Sequence, residues 1–275
     1  MLQYAVAELA GRVRMACAQR DGMTDVSATF DRIKARPAYE LVAEAIERKI
    51  MAGILRPGDP IGTESALVKQ FGVNRSTVRE GIRLLEQSGL VAREASRRLS
   101  VAVPRYHELA TRMTRALILQ QVTFRELWLT SWALEPAAVE LAVEHRTEED
   151  LAALDANLAK TREAGPDPVA VTELDAEFHK LIGKATHNRV LQLAKEPSSM
   201  LVRPTTALII SRRPSGILRL IVAHGHIVDA VRSRDREKAR LWIQRHLRDW
   251  KAGFERAGGD MDSPVERLTQ LARPL

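Results

Sequence analysis

Two helix caps with a glycine turn between them set the strongest constraint on this chain. Thr63 suits the cap of a helix running to about Gln70, Gly72-Val73 make a turn, and Asn74 suits the cap of a helix from Arg75 to Ser88. Gly89 stands where a helix ends on a left-handed residue. Ahead of the pair, Tyr39 to Met51 carries Leu41, Val42, Ala45, Ile46 and Ile50 at helical spacing, and the run Arg56-Pro57-Gly58-Asp59-Pro60 stops it. Behind it, Leu90 to Arg93 and Leu99 to Val103 read as two short strands joined by a tip at Glu94 to Arg98, and Pro104 closes the unit. Three helices, a tight turn and a small hairpin make a winged helix-turn-helix over residues 38–104.

That plan places the N-terminal residues of its third helix at base edges in the major groove of DNA. Here they are Arg75, Ser76, Thr77 and Arg79. Arginine grips guanine bidentately, and the hydroxyls bond bases or phosphates. Arg75 and Arg79, four apart, share one face, while Val78, Ile82 and Leu85 lie on the opposite one. Arg97 and Arg98 at the hairpin tip stand ready for phosphates. A net charge of +7 and a pI near 9.8 favour a polyanionic partner. One head covers one half-site, so a double-stranded DNA operator with two-fold symmetry and a homodimer follow.

From about His107 the pattern changes to long helices, over 107–121, 123–145, 148–163, 168–186, 189–211, 217–233 and 236–257. Pro197 and Pro204 fall inside the fifth, which is expected to break or kink there. The fold class is therefore mostly α: a winged helix-turn-helix followed by an all-α helical bundle over residues 107–257. Residues 1–37 form an N-terminal extension and 258–275 a C-terminal tail expected to be poorly ordered. With one cysteine, Cys17, no internal disulfide can form. No apolar run is long enough to span a membrane. The reading is a cytoplasmic protein that does not engage membranes.

Within the helical part, Asp175 and His179 are four apart and face the same way. Such a pair is often an ordinary surface contact. His224 and His246 lie on two later helices, and an Asp and three His from three helices can also converge in a bundle core on a divalent metal ion. Imidazole and carboxylate suit Zn²⁺, Ni²⁺, Mn²⁺ or Fe²⁺ without choosing among them. Trp128 and Trp132 read as core packing, and His107, His145 and His187 as surface.

The stretches Ile54-Leu55-Arg56-Pro57-Gly58-Asp59, Thr63-Glu64, Phe71 through Glu80 and Leu84-Leu85-Glu86-Gln87-Ser88-Gly89-Leu90-Val91 together resemble the GntR family of regulators. Leu134-Glu135-Pro136-Ala137-Ala138, Asp175 to His179, Asn188, His224 to Ala230, Ala239 and His246-Leu247 resemble the FCD ligand-binding domain of that family's FadR-type branch. The resemblance implies that Arg75 and Arg79 contact DNA with Ser76 and Thr77 beside them. It also implies that Asp175, His179, His224 and His246 hold a metal, with Zn, Ni or Mn the expected ions. Three positions depart from the pattern. Ser65 stands where the family has a DNA-contacting arginine, the tip Ser96-Arg97-Arg98 lacks the usual glycine, and Ser131 replaces an arginine that lines the ligand pocket. Ser131 and His226 are the candidate pocket residues.

The function expected is a DNA-binding transcription regulator, a repressor, whose operator binding is controlled by a small-molecule effector such as an organic or sugar acid. Alternatives are a direct metal-ion sensor and a metal-dependent enzyme with a DNA-binding head. The enzyme reading is set aside because no motif supplies a general base.

Overall fold

The computed structural model describes residues 36–94 and 98–265. Cys17, Arg97 and nearly all of the N-terminal extension lie outside the described residues. The chain divides into two compact units, the first ending at Val103 and the second beginning at Pro104.

The first unit holds α1 (Ala38–Met51), α2 (Glu64–Phe71) and α3 (Arg75–Ser88) with a three-stranded antiparallel sheet of order β1-β3-β2, where β1 is Pro60–Gly62, β2 Val91–Arg93 and β3 Leu99–Val101. The caps act as the sequence requires. Thr63 Oγ1 accepts from Ala66 N at 3.2 Å, Asn74 Oδ1 accepts from Thr77 N at 2.8 Å, and Gly72 and Gly89 end their helices at φ +64° and +77°. Strand β1 falls where the sequence reads as a loop. Three residues are too few to show a period, and tertiary contacts create the strand: Gly58 N donates to Val101 O, and Val101 N to Asp59 O. Val42, Ile46, Leu67, Val78, Ile82, Leu85, Val91 and Leu99 form the core under the sheet. Packing of α1 on α3 is tight at Gly81, where a Cβ would stand 2.8 Å from the carbonyl oxygen of Tyr39.

The second unit is a bundle of α4 (Tyr106–Leu119), α5 (Phe124–His145), α6 (Glu148–Glu163), α7 (Pro168–Ala185), α8 (Arg189–Arg212), α9 (Gly216–Ser233) and α10 (Arg236–Arg256). Its core runs through Val139, Leu154, Phe178, Ile182, Ile227, Val231 and Ile243. The structure corrects two expectations, a break at the prolines and an unpacked tail. Helix α8 runs unbroken through Pro197 and Pro204, which leaves a kink as the remaining form of the first expectation. Each proline removes one backbone hydrogen bond, and the buried face of Leu201, Thr205, Leu208 and Ile209 outweighs that loss by holding the helix in the bundle. The segment after α10 also packs as far as Val265. Met261 and Val265 are buried, Met261 O accepts from Arg125 N, and Val265 N donates to Val122 O. Residues 266–275 lie outside the described residues.

Candidate functional site

In the first unit, Arg75, Ser76 and Arg79 are exposed on the opening turns of α3, and Thr77 is half-buried there. The Asn74 side chain binds both Thr77 N and Ser76 Oγ, so one cap fixes the start of the helix that carries all four. Arg75 donates to Ser65 Oγ at 3.1 Å. Arg79 pairs with Glu64 at 3.1 Å, and the other oxygen of Glu64 takes Arg93 at 3.0 Å. These pairs are exposed and hold the guanidinium groups only weakly. Arg98 is exposed at the hairpin tip. The ties of Glu64 to Arg79 and Arg93 are not visible in sequence, because they join residues 15 and 29 positions apart.

In the second unit, α7, α9 and α10 bring Asp175, His179, His224 and His246 together. One ligand atom from each lies within 4.8 Å of all the others, and all four residues are buried. Nε2 of His179 is 3.1 Å from Nε2 of His246. Oδ1 of Asp175 is 3.4 Å from Nε2 of His224 and 3.9 Å from Nε2 of both His179 and His246. Donors around one ion at metal–ligand distances near 2.1 Å stand about 3.0–3.4 Å apart, so this set fits a single divalent ion with slight contraction. Asp175 Oδ1 and both ring nitrogens of His224 are buried without hydrogen bonds. The ring of His224 is held by stacking on Phe178, with centroids 3.6 Å apart.

A second layer orients the first. Thr206 on α8 donates to Asp175 Oδ2 at 3.2 Å. Glu135 on α5 lies 3.1 Å from Nδ1 of His179, the nitrogen opposite the cluster, and 2.8 Å from Nζ of Lys195 on α8. Such carboxylate–histidine contacts set the tautomer and basicity of metal-binding imidazoles. Burial opposes ionisation of Glu135, but Lys195 and then His179 outweigh it and bring its pKa down to about 2. Burial likewise opposes charge on Asp175, yet its contact with His224 and the neighbouring imidazoles hold it well below the usual carboxylate range. Burial, and then His224 and His179, push His246 down to about 3, and burial also lowers His224. For His179, burial is overcome by Glu135, and its pKa rises. At neutral pH two imidazoles thus present lone pairs beside a carboxylate, an arrangement that attracts a cation.

The cluster opens on a cavity that is partly open to solvent. Asp175, His179 and His246 line it, together with Ser131, Lys195 and Trp250. His226 does not. It stacks on Trp242 at 3.8 Å between centroids, so the pocket role expected for it gives way to packing. The reason is its offset of two residues from His224, which turns it to another face of α9. Trp128 and Trp132 stack on each other outside the cavity, and Trp128 Nε1 donates to Leu247 O. His145 is exposed, and His187, half-exposed, pairs with Asp150 at 2.7 Å. The sequence reading missed Lys195 and the place of Glu135. The signal for Lys195 was present: it shares an inward-facing row with Leu191, Val202 and Ile209, where a lysine is out of pattern.

The model of the gntR family of bacterial regulatory proteins matches residues 38–101, and the model of the FCD domain matches residues 126–249. Among curated proteins, the uncharacterized HTH-type transcriptional regulator YdhC of Bacillus subtilis (strain 168) is 29% identical over 219 residues, 78% of this chain and 89% of that protein. The Glc operon transcriptional activator of Escherichia coli (strain K12) is 26% identical over 248 residues, 87% of this chain and 96% of that protein. A solved GntR structure from Streptococcus agalactiae shares the fold, with a TM-score of 0.56 at 20% identity over 77% of this chain and 97% of that one. These relatives and both domains are those of transcription regulators rather than enzymes. No helix among the described residues is long and apolar enough to cross a membrane. The chain thus carries a winged helix-turn-helix domain of the gntR type of bacterial regulatory proteins and, behind it in sequence, an FCD domain.

Proposed function

We propose that this regulator binds a two-fold-related operator as a homodimer. Its hold on DNA is set by a small organic or sugar acid that enters the FCD cavity beside a divalent ion. Asp175, His179, His224 and His246 would hold that ion, and an ion with open coordination positions supplies an electrophilic anchor for a carboxylate. The observation that carries the reading is the convergence of four buried donors, two of them with unbonded ligand atoms and three of them lining a cavity. That cavity favours a metabolite effector over a bare metal sensor, which needs the cluster alone. Arg75, Ser76, Thr77, Arg79, Arg97 and Arg98 are the DNA-contacting set in this reading. An effector shifts DNA binding only by its unequal affinity for two states, and such coupling is typically about 1–3 kcal/mol. Repression or activation then depends on where the operator lies relative to the promoter. A thermal-shift screen of organic and sugar acids, repeated after chelation, tests the reading, since a ligand of the folded state raises its melting temperature. Hits whose shift disappears on chelation support it. Hits indifferent to chelation contradict it.

A further inference from the structure

Two basic side chains reach the cavity, and they differ in kind. Arg219 is exposed, whereas the side chain of Lys195 is only 6% exposed. A charge withdrawn from water acts far more strongly on a ligand beside it. Lys195 Nζ pairs with Glu135 Oε2 at 2.8 Å, and no other acceptor among the described residues is shown for it. An ammonium has three N–H donors, so the pair with Glu135 leaves others to serve a ligand at a wall that also includes Ser198 and Ser199. Across the cavity, Ser131 stands one turn before Glu135 on α5, and its short side chain contributes no charge there.

Glu135 links this lysine to the cluster. It touches Nδ1 of His179, whose Nε2 faces Asp175 and His246. Lys195 thus stands on the outward side of the His179 ring, and the four-donor cluster on the inward side, with one cavity touching both. A purely structural ion pair would be sealed from solvent. This one lines a cavity, among the small hydroxyl side chains of Ser198, Ser199 and Thr206 on the same face of α8.

We propose that Lys195 is the specificity-determining anchor of the effector pocket and reads a second acidic group, so that the effector is a small dianionic acid with one carboxylate at the cluster and the other at Lys195. This rests on the ion-and-acid reading above and adds the residue and the ligand class. Glu135 keeps the ammonium in place while its donors turn to the ligand.

The test uses the full chain loaded with Mn²⁺ and calorimetry with malonate, succinate and glutarate, each compared with its own monoamide. The parent protein is expected to bind at least one diacid about 10-fold or more tightly than its monoamide, the size of effect typical of a hydrogen bond to a charged group. Lys195→Gln, compared at saturating Mn²⁺, should erase the preference to within about 2-fold and be rescued by Lys195→Arg. Should the glutamine variant prove unstable, Lys195→Met makes the same comparison with a chain that fills the space. A preference that survives in either variant overturns the proposal, and so does a parent protein with no preference. Because the preference is a ratio, it scores Lys195 with or without the ion. Failure of the cluster itself shows separately, as absence of metal before any acid is added.

Discussion

Oδ1 of Asp175 stands 3.4 Å from Nε2 of His224, and neither atom, both buried, makes a hydrogen bond. A buried polar atom without a partner costs about 1–3 kcal/mol. The bundle nevertheless directs two more imidazole nitrogens at the same place, from α7 and α10. A shared cation relieves all of these costs at once, and an apolar ligand would relieve none.

The recognition helix gives the first expectation. Arg79 is exposed, and its partner Glu64 holds it only through a solvated contact. Arg79→Ala should weaken operator binding by about 1–3 kcal/mol and relax preference at one base position. Band shifts across a set of operator variants check this. Uniform retention of affinity would exclude Arg79 from base reading.

The α1–α3 contact gives a stability expectation. At Gly81 an added Cβ would meet Tyr39 O at 2.8 Å and Val42 at 3.1 Å. Backbone on one side leaves little room to relax, so Gly81→Ala should destabilise the winged helix by about 1–3 kcal/mol, although alanine favours a helix over glycine. Chemical denaturation of the isolated 36–104 segment beside the parent segment measures the difference. Equal or higher stability would mean that the two helices separate freely.

Glu135 gives an expectation for the second layer. It stands 3.1 Å from Nδ1 of His179 and is ionised at neutral pH, its pKa lying near 2. Glu135→Gln should lower divalent-ion affinity about 10–100-fold, as loss of such outer contacts does, and leave operator binding by the effector-free protein intact. Competition with a chromophoric chelator reads the first effect and a band shift the second. Unchanged ion affinity would reduce Glu135 to a partner of Lys195 alone.

Much of this was legible in the sequence because it is local. Caps and left-handed glycines are decided within a few residues, so Thr63, Asn74 and Gly89 delimit their helices without tertiary information. The long amphipathic runs of the bundle likewise show where its helices lie. The Asp175–His179 pair is visible at helical spacing, and the structure adds that α9 and α10 approach it from the sides that carry His224 and His246. What the sequence hid is non-local. Strand β1 is three residues paired to β3 across 40 positions. The continuity of α8 through two prolines depends on its neighbours. Lys195 finds Glu135 across 60 residues, and nothing in either local stretch announces the meeting.

The central claim is that the four-donor cluster holds a metal ion. Elemental analysis of untagged protein, purified without chelators and then incubated with Zn²⁺, Ni²⁺ or Mn²⁺, tests it most directly, beside a variant carrying both His179→Ala and His224→Ala. The account predicts close to one ion per chain in the parent, none in the variant, and a melting temperature that falls on chelation of the parent only. A parent protein that stays empty with all three ions, or a variant that binds as much as the parent, would contradict it.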